Sequence, residues 1–181
     1  MINHKQLRLL PFIFSFILII SLLVSCSDNN SKQSTTKEEP VQPTEKYDGV
    51  TIELDIANKN CLSILLARDG TINRKGSSSF DLKEKNFFMG LSDNKAFDSL
   101  MNEMPAGLSA YCNAASPACD TLKQTCKAKI AYGNNTSGCE IEYCVNGTVN
   151  DLPKPIREFI EKAVKVTEPW YQEQQKTLQK K

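Results

Sequence analysis

The segment from residue 126 to residue 145 constrains the fold most, because it predicts a β-hairpin with a fixed register. Two runs rich in strand-forming residues, 126–132 and 139–145, flank the turn sequence GNNTSG. Opposing residue 132 with 139, 130 with 141 and 128 with 143 brings the apolar side chains to one face: Ile130, Tyr132, Cys139, Ile141 and Tyr143. A slip of one residue would turn this set to solvent. The same register places Lys129 opposite Glu142 on the solvated face.

Further strands are predicted upstream of this hairpin. Residues Val50–Ile56 alternate apolar and polar side chains, as a half-buried strand does. Leu62–Ala67 is an almost continuous apolar run, and Asp69-Gly70 is a tight turn leading into Thr71–Arg74. Residues Ser77–Leu82 are a candidate fourth strand.

The pattern also predicts two helices. Asp93 is expected to cap the first helix, whose apolar positions recur at helical spacing until Pro105 prevents continuation: Ala96, Phe97, Leu100, Met101 and Met104. The second helix is expected to start at Asp151 and Pro153 and to end or kink at Pro169. Its apolar stripe consists of Leu152, Ile156, Phe159, Ile160, Ala163 and Val164.

These elements predict an α+β fold, with an antiparallel sheet of strands and hairpins packed against two helices. The folded domain is expected to cover residues 47–168, followed by a polar tail at 169–181. Residues 105–125 are rich in Ala, Ser and Cys without periodicity, which indicates an irregular loop fixed by crosslinks.

The start of the chain resembles the signal peptide of a bacterial lipoprotein. Lys5 and Arg8 precede 16 residues without a charge, and Leu23-Val24-Ser25-Cys26 is similar to a lipobox. The resemblance implies cleavage after residue 25, diacylglyceryl and palmitate modification of Cys26, and a lipid anchor facing the periplasm. Ser27 stands where an aspartate would retain a lipoprotein in the inner membrane of many Gram-negative bacteria, which favours the outer membrane and leaves the membrane surface of a Gram-positive cell as the alternative. An uncleaved transmembrane helix is the alternative, although 16 residues fall short of the ~20 that such a helix needs.

The remaining cysteines predict a disulfide-stapled domain. Besides Cys26, the chain holds an even number of cysteines: Cys61, Cys112, Cys119, Cys126, Cys139 and Cys144. The cell envelope is oxidising, and no Cys-x-x-Cys motif points to zinc or redox chemistry. The hairpin register keeps the last three cysteines apart. Cys126, Cys139 and Cys144 are therefore each expected to form a disulfide with one of Cys61, Cys112 and Cys119, and the sequence leaves the order of these pairs open.

Residues 26–46 are predicted to form a flexible tether between the lipid and the domain. The sequence after Cys26 contains one apolar side chain, Val41, two prolines and no aromatic residue, so it cannot bury enough surface to fold. A coil of this length spans ~25 Å.

Composition narrows the chemistry. Without residues 1–25 the chain keeps 20 basic and 21 acidic side chains, a formal charge of −1, so no nucleic-acid partner is predicted. The only histidine, His4, lies in the predicted signal peptide, so triads built on histidine and imidazole metal sites are excluded from the mature chain. No cofactor, metal site or catalytic residue is predicted.

Four features of the sequence are candidate sites. Ser92 and Lys95 match the Ser-x-x-Lys motif of penicillin-binding enzymes, but the Lys-Thr-Gly motif that accompanies it is missing. Because Ser92 and Asp93 are residue types common at helix N-termini, a structural role is favoured. Glu140 and Glu142 share a strand face as an acid pair would, yet an exposed position beside Lys129 is favoured. Asp69 belongs to the predicted hairpin turn, and a catalytic role would require that it line a cleft. The adjacent pair Trp170 and Tyr171 would suit partner binding if exposed, although closure of the core is favoured.

The order of strands, Asp-Gly turn, helix, strands and Leu-Pro helix start resembles small bacterial inhibitors of thermolysin-type proteases. The resemblance is one of layout, and the cysteine-rich insert departs from it. The sequence therefore predicts a lipid-anchored envelope protein that binds a protein or an envelope polymer. A small envelope hydrolase using carboxylates and a protease-inhibitor-like domain are the alternatives.

Overall fold

A computed structural model describes residues 47–120 and 122–180 of the chain. The predicted signal peptide at 1–25, the lipidation site Cys26 and the tether at 26–46 lie outside the described residues. Six strands and two helices follow in order: β1 (Gly49–Ile56), β2 (Lys59–Ala67), β3 (Thr71–Lys75), β4 (Phe87–Leu91), α1 (Lys95–Asn102), β5 (Thr125–Gly133), β6 (Gly138–Asn146) and α2 (Lys154–Gln179). Short 3₁₀ turns occupy Leu108–Tyr111 and Val149–Asp151.

All six strands join one antiparallel sheet in the order β4-β3-β2-β1-β5-β6. The hairpin register predicted from the sequence is confirmed, since Tyr132 pairs with Cys139, Ile130 with Ile141 and Ala128 with Tyr143. The strand β5 then pairs with β1 along its whole length, so the N-terminal and C-terminal halves of the domain share a single sheet. The structure is thus the α+β, disulfide-stapled domain that the sequence predicts.

The core lies between one face of this sheet and the helices. Alternate residues of β1, Val50, Ile52 and Leu54, are buried, as their spacing requires. The predicted stripe of α2 is buried along its whole length, from Leu152 to Val164. Phe97 and Leu100 of α1 join the same cluster.

The fourth strand differs from the prediction. Residues Ser77–Leu82 form turns, and β4 lies instead at Phe87–Leu91. Gly76 adopts a φ of 90° and Phe80 a φ of 55°, which lie outside the extended region that a strand needs. The sequence FFMGL of β4 is apolar at neighbouring positions, so alternation did not reveal it.

The start of α1 differs by one residue from the prediction. Asn94, not Asp93, occupies the N-cap position, and no side chain there bonds to the helix backbone. Asp93 instead pairs with Lys95, whose Nζ lies 3.2 Å from Oδ2 of Asp93.

The prediction that Pro169 ends the second helix, leaving a polar tail, is wrong. The helix α2 continues through Pro169 to Gln179. Proline removes one helical hydrogen bond, that to the carbonyl of Lys165, which is exposed and open to water. Packing outweighs this loss, because Thr167 and Tyr171 on either side are buried.

A buried arginine on β3 ties this part of α2 to the sheet. Arg74 donates to the carbonyl of Val164 (3.0 Å), to Oγ1 of Thr167 (2.8 Å) and to Oε2 of Glu168 (2.7 Å). Its guanidinium carbon lies 4.5 Å from the ring centroid of Tyr171. Burial lowers the pKa of Arg74, and the Glu168 carboxylate counters that shift.

The cysteine-rich loop runs along β6, one edge of the sheet. Disulfides join Cys112 to Cys139 and Cys119 to Cys144. Because Cys139 and Cys144 point to opposite faces of the strand, the loop is fastened on both sides of it. The backbone NH of Asn113 also donates to the carbonyl of Glu140 (2.7 Å). The loop therefore covers this edge.

The outward pairing predicted for Cys126 is wrong, since Cys61 and Cys126 are free thiols buried in the core. Strand β1 separates them: Cys126 on β5 lies opposite Ile56, and Cys61 lies on β2 beside a bulge between Leu54 and Asp55. Two strand spacings amount to ~9.6 Å, beyond the ~7 Å Cα separation that a disulfide tolerates.

Candidate binding surface

Both helices pack on one face of the sheet, and the other, here called the open face, carries the remaining side chains of all six strands. It includes Thr51 and Glu53 of β1, which alternate with the buried residues. An antiparallel sheet commonly has one solvated face. Six strands make this an extended surface, and it is where the structure places two adjoining depressions.

The larger depression, here called the trough, has a volume of about 450 Å³. Small residues form its floor because three glycines stand in register on adjacent strands: Gly49 pairs with Gly133, and Gly133 with Gly138. The neighbouring row sets Thr51 between Ala131 and Leu65. Apart from Leu65, these rows carry small side chains, which lets a ligand approach the backbone of the sheet.

The second depression, of about 410 Å³, adjoins the trough and shares four residues with it: Thr51, Asn113, Ala131 and Glu140. The stapled loop therefore contributes Asn113 and Ala114 to a surface otherwise built by strands. The sequence did not predict this site, because it depends on the pairing of β5 with β1, which brings Thr51 beside Ala131.

Charged side chains of alternating sign border the depressions. Glu142 lies opposite Lys129, as predicted, and Lys129 lies opposite Glu53. The ion pair itself is diagonal, with Nζ of Lys127 2.5 Å from Oε1 of Glu142. That hydrogen bond lowers the pKa of Glu142. With Glu140, the border holds three acidic and two basic side chains, a small net negative charge that matches a ligand without a strong negative charge.

The aromatic pair proposed for partner binding lies elsewhere. Tyr171 is buried between α2 and the sheet, with its ring centroid 5.4 Å from that of Phe88, so it offers no binding surface. Burial raises the pKa of its hydroxyl. Trp170 is half-buried, and its ring lies over Gly90, where an added Cβ would come within 3.1 Å of it. The pair closes the core.

The candidate catalytic residues are held by structural contacts. Asp69 accepts a hydrogen bond from the backbone NH of Thr71 (2.9 Å), which lowers its pKa and fixes the hairpin turn. The hydroxyl of Ser92 donates to the carbonyl of Asp93, while Lys95 turns away to the Asp93 carboxylate. Glu140 and Glu142 share the open face as predicted, but a general acid needs a raised pKa, and that of Glu142 is lowered.

The described residues hold no group of three or more His, Cys, Asp or Glu side chains placed to bind a metal ion. None of the helices in that part of the chain combines the length and apolar character that crossing a bilayer requires. No protein-family model, curated protein or solved structure matches the chain.

Proposed function

We propose that the mature chain is a lipid-anchored protein of the bacterial cell envelope that binds a protein or an envelope polymer on its open face. The trough carries this proposal. A depression of about 450 Å³ floored by glycine and alanine on an uncovered sheet suits an extended chain lying across the strands. The small net charge of its border favours recognition by shape and by van der Waals contact with the floor over recognition by charge.

The anchoring part of the proposal rests on the lipobox and assigns Cys26 as the lipidated residue. With an outer-membrane anchor and a ~20-residue tether, the domain would reach partners ~25 Å from the membrane surface. In cells fed labelled palmitate, Cys26→Ala should abolish labelling and leave the unprocessed precursor. The matched variant Ser25→Ala keeps a small residue before the cysteine, so it should be labelled and cleaved normally. A free Cys26 thiol in the native protein would contradict the anchor.

The binding part is tested at the floor of the trough. A photoreactive amino acid replacing Thr51 should form a crosslink to a discrete partner in intact cells, whereas the same residue at Glu158, exposed on α2, should not. Thr51→Trp should then fill the trough and lower affinity for that partner at least tenfold. Glu158→Trp is the matched control and should leave affinity unchanged.

The hydrolase alternative makes the opposite prediction. It requires turnover of a peptidoglycan, ester or peptide substrate that is abolished by one carboxylate change, such as Glu140→Gln, in a folded protein. That result, with no crosslink at Thr51, would replace binding by catalysis.

A further inference from the structure

The edge strand β4 exposes a row of large apolar side chains. Phe87, Met89 and Leu91 are 51%, 70% and 75% exposed, respectively, and all three point to the open face. The strand β4 is the last strand at its end of the sheet, so within the described residues no further strand pairs with its outer side. It also lacks the proline, bulge or inward charge with which proteins usually block such an edge.

The helix α2 crosses the sheet at right angles to the strands and reaches this edge before it ends. Phe159 lies against Tyr132 of β5, and Tyr171 lies against Phe88 of β4. Those strands are four positions apart, or ~19 Å. The 12 residues from 159 to 171 rise ~18 Å, so the helix axis runs almost straight across.

The last turns of α2 consequently extend past the sheet. From Tyr171 to Gln179 the helix rises a further ~12 Å, about two and a half strand spacings beyond β4. The buried stripe of Thr167 and Tyr171 continues at helical spacing to Leu178, which is 50% exposed. Beyond Tyr171 this face of the helix therefore carries Gln174, Gln175 and Leu178, where the sheet beneath it has stopped.

We propose that β4 and the overhanging end of α2 form a notch that accepts an extended segment of a partner protein as a seventh strand. Strand addition supplies backbone hydrogen bonds, and alternate side chains supply specificity. The segment would place apolar residues beside Phe87, Met89 and Leu91 on the open face. Its other face would lie under Leu178 and the amides of Gln174 and Gln175.

The dimensions favour a peptide strand over other occupants. A second copy paired through β4 would bring its own overhanging helix into the same space, and packed helix axes need 8–10 Å between them. The chain's own residues 27–46 contain two prolines and a single apolar side chain, so they cannot supply the alternation. The notch is separate from the trough, so this inference does not depend on the proposed function.

The test uses the full-length protein in detergent and a displayed library of random nine-residue peptides as the probe. We expect selected peptides to alternate apolar and polar residues. Met89→Lys and Leu178→Lys should each lower their affinity at least tenfold. Leu122→Lys, at a 94% exposed leucine on the stapled loop, and Thr51→Trp in the trough should change it less than twofold. Bound peptide should slow amide exchange in β4 at least tenfold.

Three results would overturn the proposal. Selected peptides without alternating apolar and polar residues would show that the peptide does not bind as an added strand. Loss of peptide binding in Thr51→Trp alone would place the peptide-binding site in the trough. Dimerisation abolished by Met89→Lys would assign the edge to a second copy. Because Met89 and Leu178 are exposed, both lysine variants should fold, and circular dichroism with a urea midpoint checks this.

Discussion

The Arg74–Glu168 pair should respond asymmetrically to removal of its two partners. Arg74 is fully buried, whereas the side chain of Glu168 is 26% exposed. Removing one partner of a buried pair costs ~3–5 kcal/mol, because the charge left behind lacks compensation. Glu168→Ala leaves the guanidinium in the core, so we expect the full ~3–5 kcal/mol loss in free energy of unfolding.

Arg74→Met leaves a different situation. The Glu168 carboxylate can hydrate through its exposed side, Thr167 still donates to the carbonyl of Ala163 (2.7 Å), and methionine fills much of the vacated volume. We therefore expect a loss of only ~2 kcal/mol, mainly from the hydrogen bonds of Arg74.

Urea denaturation with the disulfides intact measures both values. At a slope of ~2 kcal/mol per molar, the midpoint should fall by ~1.5–2.5 M for Glu168→Ala and by ~1 M for Arg74→Met. Equal losses, or a larger loss for Arg74→Met, would refute the argument from exposure. The double variant should cost less than the sum of the single variants, because neither charge is then left alone.

Three further predictions concern the thiols, acid and the disulfides. Native protein should carry two thiols, at Cys61 and Cys126, that alkylate only in urea. Burial raises the pKa values of these thiols to about 11 and about 12, so the thiols ionise at lower pH in the unfolded state than in the folded state. The free energy of unfolding should therefore fall as pH rises above ~9, and Cys61→Ala should reduce that fall. Alkylation of either thiol under native conditions would contradict this burial. Stability should also fall as pH drops through the lowered pKa values of Glu142 and Asp151, because the carboxylates of the unfolded chain take up protons first. In urea titrations at a series of pH values, Asp151→Asn should make this acid-side fall in stability shallower. An unchanged fall would contradict the prediction. Replacing either disulfide by two serines should lower the free energy of unfolding, measured in urea, by ~3.5 kcal/mol, because the loops that the disulfides close span 27 and 25 residues. If only one replacement lowers stability, the loop is ordered without the other disulfide.

The sequence predicted the parts of the fold that depend on local pattern. The β5–β6 register followed from one turn and one apolar face, and the stripe of α2 followed from helical spacing. It missed β4, whose residues are apolar at successive positions, and it stopped α2 at Pro169 because the stabilising contact comes from Arg74, about 95 residues away in sequence.

The candidate site depends on long-range pairing. Nothing near Thr51 indicates that Ala131 will lie beside it, and the same insertion of β1 between β2 and β5 keeps Cys61 from Cys126. The count of cysteines favours a third bridge, but the strand order prevents it. Single-sequence patterns carry no information about that order, so both the trough and the free thiols required the structure.

Because two disulfides hold the cysteine-rich loop along β6, they determine how many edges of the sheet are open to pairing with another strand. A sheet with two open edges can polymerise, because each added chain presents a new edge to the next. With β6 covered, β4 is the one open edge among the described strands, so a domain can pair through one side of its sheet and cannot link copies of itself into a continuous sheet. Loss of the two disulfides would free the loop from β6 and give the sheet two open edges, so we expect the reduced chain to form fibres more readily than the oxidised chain.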